Sequence, residues 1–98
     1  MRYKIEITEE AKIDLSFFRA YDRKIILSSI REQLSYEPQS ETRNRKKLRE
    51  NPVASWELRS GKYRIFYEVE NNIVTVAIIA IGEKKHNALY IRGKEVKL

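Results

Sequence analysis

Trp56-Glu57-Leu58-Arg59-Ser60-Gly61-Lys62-Tyr63-Arg64-Ile65-Phe66-Tyr67-Glu68-Val69 is the stretch on which the fold turns. Apolar and polar residues alternate on both sides of Ser60-Gly61, the period of two that sends successive side chains to opposite faces of a strand. Ser60-Gly61 reads as a tight hairpin turn. Arg59 then falls opposite Lys62, Leu58 opposite Tyr63, Glu57 opposite Arg64, and Trp56 opposite Ile65. Trp56, Leu58, Tyr63, Ile65, Tyr67 and Val69 share the face that covers a core; Glu57, Arg59, Arg64, Phe66 and Glu68 share the other. A core does not require an arginine there, beside an exposed-looking phenylalanine. The plain account of it is a solvated Glu57–Arg64 ion pair, worth ~0.5 kcal/mol.

Downstream, Asn71-Asn72 marks a second turn, asparagine being tolerant of positive φ. Ile73 to Ile81 is apolar on both faces apart from Thr75, as a central strand should be. Ile81-Gly82-Glu83-Lys84-Lys85-His86 follows, ahead of Tyr90, and the tail allows a short strand or hairpin around Gly93. Upstream, Tyr3, Ile5 and Ile7 alternate with Lys4 and Glu6 as a first strand. Thr8 offers an N-cap, with Glu9 and Glu10 favouring the helix dipole. Ala11, Leu15 and Phe18 recur at helical spacing, flanked by Lys12, Asp14 and Arg19. A second helix is expected from near Asp22, with Ile26, Ile30 and Leu34 as its buried stripe, ending before Pro38. The fold class is therefore α+β: a strand, a two-helix hairpin, then an antiparallel meander packed on the helices.

Between the helices and the meander, Arg43, Arg45, Lys46, Lys47 and Arg49 place five cations in seven residues. This segment is either a solvated loop or helix end, or a clamp for RNA phosphates. The chain carries a net charge of +6 with a pI near 9.7, which favours polyanionic or acidic partners. Its 98 residues read as one domain, 1–98, and a hydrophobic content of 42% is enough for a core. The lack of cysteine excludes disulfides and thiolate metal sites and fits a reducing cytosol. Neither a signal peptide nor a stretch of ~20 apolar residues is present, so a cytoplasmic protein without a membrane partner is expected. With a single histidine and no phosphate-cradling glycine loop, neither a metal nor another cofactor is expected.

Leu58-Arg59-Ser60-Gly61-Lys62-Tyr63-Arg64-Ile65-Phe66-Tyr67 and Ile81-Gly82-Glu83-Lys84-Lys85-His86-Asn87-Ala88-Leu89-Tyr90 resemble two motifs of the RelE/ParE superfamily of small toxins. The resemblance covers nearly the whole chain and implies a toxin of a type II toxin–antitoxin system, with a cognate antitoxin as partner. For the mRNA-cleaving branch it further implies attack of a ribose 2′-OH on the adjacent phosphate, on the ribosome. Arg64 matches that branch's catalytic arginine, whose fork suits phosphate oxygens. Lys84 stands where a second arginine is common, and Tyr90 matches a tyrosine able to stack on a base. Arg59, Lys62 and Phe66, with the basic segment, would contact the RNA. Ser55 and Glu57 occupy positions where the best-known nucleases carry lysine, so a lysine-based proton transfer cannot be copied. Glu57 and His86 offer a carboxylate–imidazole pair in its place, a histidine titrating near ~6.5. The same departure leaves open a gyrase-directed toxin that cuts no RNA, or a non-toxic RNA- or partner-binding protein of this fold.

Overall fold

The computed structural model describes residues 1–98. In chain order the elements are β1 (Lys4–Ile7), α1 (Glu9–Ser16), α2 (Ala20–Leu34), β2 (Arg45–Lys47), β3 (Trp56–Ser60), β4 (Tyr63–Glu70), β5 (Thr75–Lys85), β6 (Ala88–Ile91) and β7 (Lys94–Val96). The expected α+β order is observed. The strands form one sheet in the order β2-β3-β4-β5-β6-β7, with β1 added in parallel to β5. Thr8 caps α1, its hydroxyl accepting from the Ala11 N–H. The stripe Ile26, Ile30 and Leu34 is buried as expected, although α2 begins at Ala20 and not near Asp22.

The helices cover one face of the sheet, over a core that includes Ala11, Ile26, Ile30, Leu34, Trp56, Leu58, Ile65, Tyr67 and Ile78. Tyr63 crosses to α2, where its hydroxyl donates to Asp22. Burial first, and then that carboxylate, push the Tyr63 hydroxyl up to about 12. Tyr67 donates to the Pro38 carbonyl at 2.7 Å, tying the segment after α2 to the sheet.

The register of the central hairpin corrects the sequence reading. Gly61 and Lys62 form the turn, Gly61 with φ +58°, and the pairs are Ser60–Tyr63, Arg59–Arg64, Leu58–Ile65, Glu57–Phe66 and Trp56–Tyr67. Moving the turn by one residue moves the pairing by two, so each side chain keeps its expected face. A bulge in β5 then offsets the β4–β5 pairing between Phe66–Ala80 and Tyr67–Ile78. The extra residue lets both Ile78 and Ile81 enter the helix-side core.

The second face is not bare. Phe66, Ala54, Ala80 and Leu89 form a smaller buried cluster, with Leu48, Val53, Ile79, Ile91 and Val96 packed against it. Phe66 is thus fully buried, contrary to the exposed position expected. The expected hairpin around Gly93 exists as β6–β7, and it carries Leu89, Ile91 and Val96 onto this cluster.

One edge of β5 is shared by β1, along Thr75–Ile78, and by β6, along Glu83–Lys85. Asp14, read as a flanking polar residue, fills the gap between them. It is buried, accepts the Ile81 N–H at 2.9 Å, and receives the Arg92 guanidinium from the β6–β7 turn. Gly82 lies in the same gap, where an added Cβ would sit 2.4 Å from the Tyr90 carbonyl oxygen and 2.8 Å from Ile91 Cγ1. Gly82→Ala is therefore expected to push β6 outward and destabilise the fold by about 1–3 kcal/mol. Urea unfolding checks this, and an unchanged midpoint would show that β6 yields freely.

Candidate RNA-facing site

Period two decides which charges meet. On the face away from the helices, β3 presents Glu57 and Arg59, β4 presents Arg64, and β2 adds Lys46 opposite Glu57. Lys84 joins from β5, in register with Leu89. Arg45 and Lys47 alternate to the other face. Arg45 donates to the Gln33 and Ser40 carbonyls, and the Lys47 ammonium sits 5.7 Å from the Trp56 ring centroid. The basic run is therefore partly an edge strand, not a loop or helix end, and it splits. Two of its cations hold β2 to the body, Lys46 faces the site, and Arg43 and Arg49 flank it, exposed.

Glu57, Arg59 and Lys84 line a cleft of about 340 Å³, bordered by Leu48, Asn87 and the last residues Glu95–Leu98. Glu57 is only 5% exposed, and its Oε1 accepts from Arg59 Nε at 3.0 Å. The ion pair expected with Arg64 is thus made with Arg59. Arg64 stands beside the cleft, paired across the strands with Arg59 and Gly82. Its Nη1 donates to the Gly61 and Tyr63 carbonyls at 2.7 and 2.9 Å, while its Nε is buried without a partner. Burial lowers the Arg64 pKa, the Glu57 carboxylate opposes that shift, and Arg59 adds to it. A guanidinium poised this way gains from an incoming anion.

The other expected site residues lie elsewhere. Tyr90 pairs with Glu83 and so shares the opposite face, in a hollow of about 440 Å³ with Phe17, Phe18, Lys85 and Arg92. It does not converge with Arg64 and Lys84. Lys62 reaches Glu83 Oε2 at 3.7 Å and lies over the Tyr63 ring, not in the cleft. His86 and Asn87 form the β5–β6 turn with φ +51° and +66°, and His86 stands exposed with no hydrogen bond to Glu57. Phe66 lies beneath the surface of the site. Nowhere do three or more His, Asp or Glu side chains gather at metal-binding spacing. Sequence reading missed Asn87 and the Glu95–Leu98 border; their only signal was the hairpin at Gly93, which folds the tail back towards the site.

A groove of about 430 Å³ lies away from this face, between β1 and α2. Tyr3, Ile5, Ile7, Leu27 and Ile30 line it, and its charged residues are Arg2, Lys4 and Arg31, with no carboxylate. No helix is long and apolar enough to cross a membrane.

Solved structures with the same architecture are toxin–antitoxin proteins. A chain of the RelBE2 complex of Mycobacterium tuberculosis matches with 25% identity and a TM-score of 0.75, over 86% of this chain and 93% of that one. The Escherichia coli toxin RelE, solved in the free state with two arginines replaced by alanine, matches with 28% identity and a TM-score of 0.63, over 85% and 84%. A chain of the archaeal RelE–RelB complex of Pyrococcus horikoshii shares the fold at 22% identity and a TM-score of 0.68, over 88% and 99%. No curated protein sequence matches. The family described as ParE toxin of the type II toxin–antitoxin system parDE matches residues 5–88. The chain belongs to that family, within the RelE/ParE superfamily of toxins.

Proposed function

We propose that this toxin cleaves messenger RNA on the ribosome. The observation that carries this reading is the cleft on the face the helices leave open, in which Arg59, Lys84 and Lys97 outnumber Glu57 and Glu95, next to the strand position of Arg64. In the reaction the ribose 2′-oxygen attacks the adjacent phosphorus and the P–O5′ bond breaks. The 2′-proton leaves, and the 5′-oxygen gains one, giving a 2′,3′-cyclic phosphate and a 5′-hydroxyl. Negative charge builds on the phosphorane, and fixed guanidinium groups in a partly desolvated site stabilise it. Glu57 is already engaged by Arg59, and His86 is exposed at its turn, so charge stabilisation is the chain's main contribution. In-line placement of the 2′-oxygen can account for many orders of magnitude. A toxin of this kind therefore depends on the ribosome to hold its substrate.

Mapping of mRNA 5′ ends after brief induced expression tests the reading. New ends inside translated codons are expected. Growth arrest without them would favour a gyrase-directed toxin, a reading supported by the ParE family match and by Tyr90 lying on the far face.

The RelB-bound relatives support an antitoxin as the partner. The groove beside β1 suits one of its segments with apolar and acidic residues. Leu27→Asp is expected to weaken antitoxin binding at least tenfold in a titration of purified toxin, and an unchanged Kd would place the antitoxin elsewhere.

A further inference from the structure

Glu57 is the anomaly of the cleft, a buried carboxylate where the other, Glu95, is exposed. A directly opposed pair of like charges, such as Arg59 and Arg64, destabilises a sheet. Here Glu57 receives Arg59 Nε, and its charge also acts on Arg64. That hydrogen bond takes the inner edge of the Arg59 guanidinium. No hydrogen bond within the chain engages its outer nitrogens, and the side chain is 44% exposed. Arg64 is held through Nη1 alone. Arg59 is therefore fixed in the cleft with its outer donors left over, a geometry that phosphate oxygens accept, whereas Arg64 is turned towards the Gly61 carbonyl at the hairpin turn.

We infer that Glu57 is a positioning residue that holds Arg59 in the cleft, so that its outer nitrogens receive a backbone phosphate of single-stranded RNA. Glu57 is not the proton acceptor of the reaction. The role rests on the cleft being an RNA site. It goes beyond that assignment because Glu57 stands where the better-known nucleases carry lysine.

Charge arithmetic gives the test its direction. Glu57→Gln removes a negative charge, so electrostatics alone predicts tighter RNA binding; loss of positioning predicts weaker binding. Binding of purified full-length protein to a 2′-O-methyl oligoribonucleotide, which cannot be cleaved, is measured by fluorescence anisotropy across a salt series. Glu57→Gln is expected to bind about fivefold to tenfold more weakly than wild type. Arg59→Gln should bind about tenfold more weakly, with a salt slope smaller by about one phosphate contact. In the Arg59→Gln background, Glu57→Gln should add nothing, because the two residues act as one unit. Circular dichroism confirms that each variant is folded, and the double variant leaves no unpaired buried charge if Arg59→Gln alone fails to fold.

Tighter binding by Glu57→Gln would overturn the positioning role. So would unchanged binding by Glu57→Gln with codon cleavage strongly reduced and the pH dependence of the residual cleavage altered, which would make Glu57 the base. No binding by wild type, even at low salt, would remove the RNA site itself, and that result is distinct because it does not depend on Glu57.

Discussion

Arg64→Ala is expected to reduce toxicity by about 10²–10³-fold while the protein stays folded, the loss typical when one preorganised donor to a developing oxyanion is removed. The fold should survive because Arg64 Nη1 bonds only the Gly61 and Tyr63 carbonyls, at the exposed turn of the β3–β4 hairpin. Its Nε makes no bond at all, so truncation strands no partner inside the core. Removing one of two opposed arginines also relieves repulsion with Arg59. Arg64→Lys keeps the charge without the fork and should fall between wild type and alanine. The readout is growth after induction, scored beside mRNA 5′ ends. Undiminished arrest by Arg64→Ala would sink the nuclease assignment. Lost arrest without any codon cuts in the wild type would keep Arg64 functional but move its target from RNA to a protein.

Period two made the sheet legible. The assignment of side chains to faces in β3 and β4 survived a misplaced turn, because an error of one residue in the loop is an error of two in the pairing, which changes partners and not faces. The partners mattered for chemistry: Glu57 meets Phe66 across the strands and Arg59 along its own strand, not Arg64. Tyr90 is placed by the same rule. Lys84 and Tyr90 are six residues apart, which suggests a common face, but the His86-Asn87 turn between them pairs Lys84 with Leu89 and puts Tyr90 on the other side. The basic run looked uniform because charge alone carries no facing; pairing β2 with β3 sends Arg45 and Lys47 to one side and Lys46 to the other. Asp14 could not be read at all, since its role depends on a gap between β1 and β6 that exists only once both have paired with β5.

Phe66 joins the site to stability. The residue follows Arg64 by two positions on the same face, which is why it looked like a surface for RNA bases. The structure buries it completely beneath the cleft, against Ala54, Ala80 and Leu89. Phe66→Ala should therefore destabilise the fold by about 3–5 kcal/mol, the cost of removing a buried ring and leaving a cavity. Against a total of about 5–15 kcal/mol for an ordinary domain, that leaves about 0–12 kcal/mol, so a domain at the low end of the range unfolds. Toxicity lost through unfolding would look like toxicity lost through a missing contact, so alanine alone cannot separate packing from contact. Phe66→Leu can, because it keeps apolar bulk in the cluster and removes the aromatic face. Expected is a lower urea midpoint with oligoribonucleotide affinity unchanged. A base-stacking phenylalanine would give the reverse, with stability held and affinity lost, since stacking on an aromatic ring is worth about 1–3 kcal/mol per base. Should that reverse pattern be found, the β6–β7 hairpin that covers Phe66 through Leu89 would have to open when RNA binds, and the smaller cluster would be a lid instead of a floor.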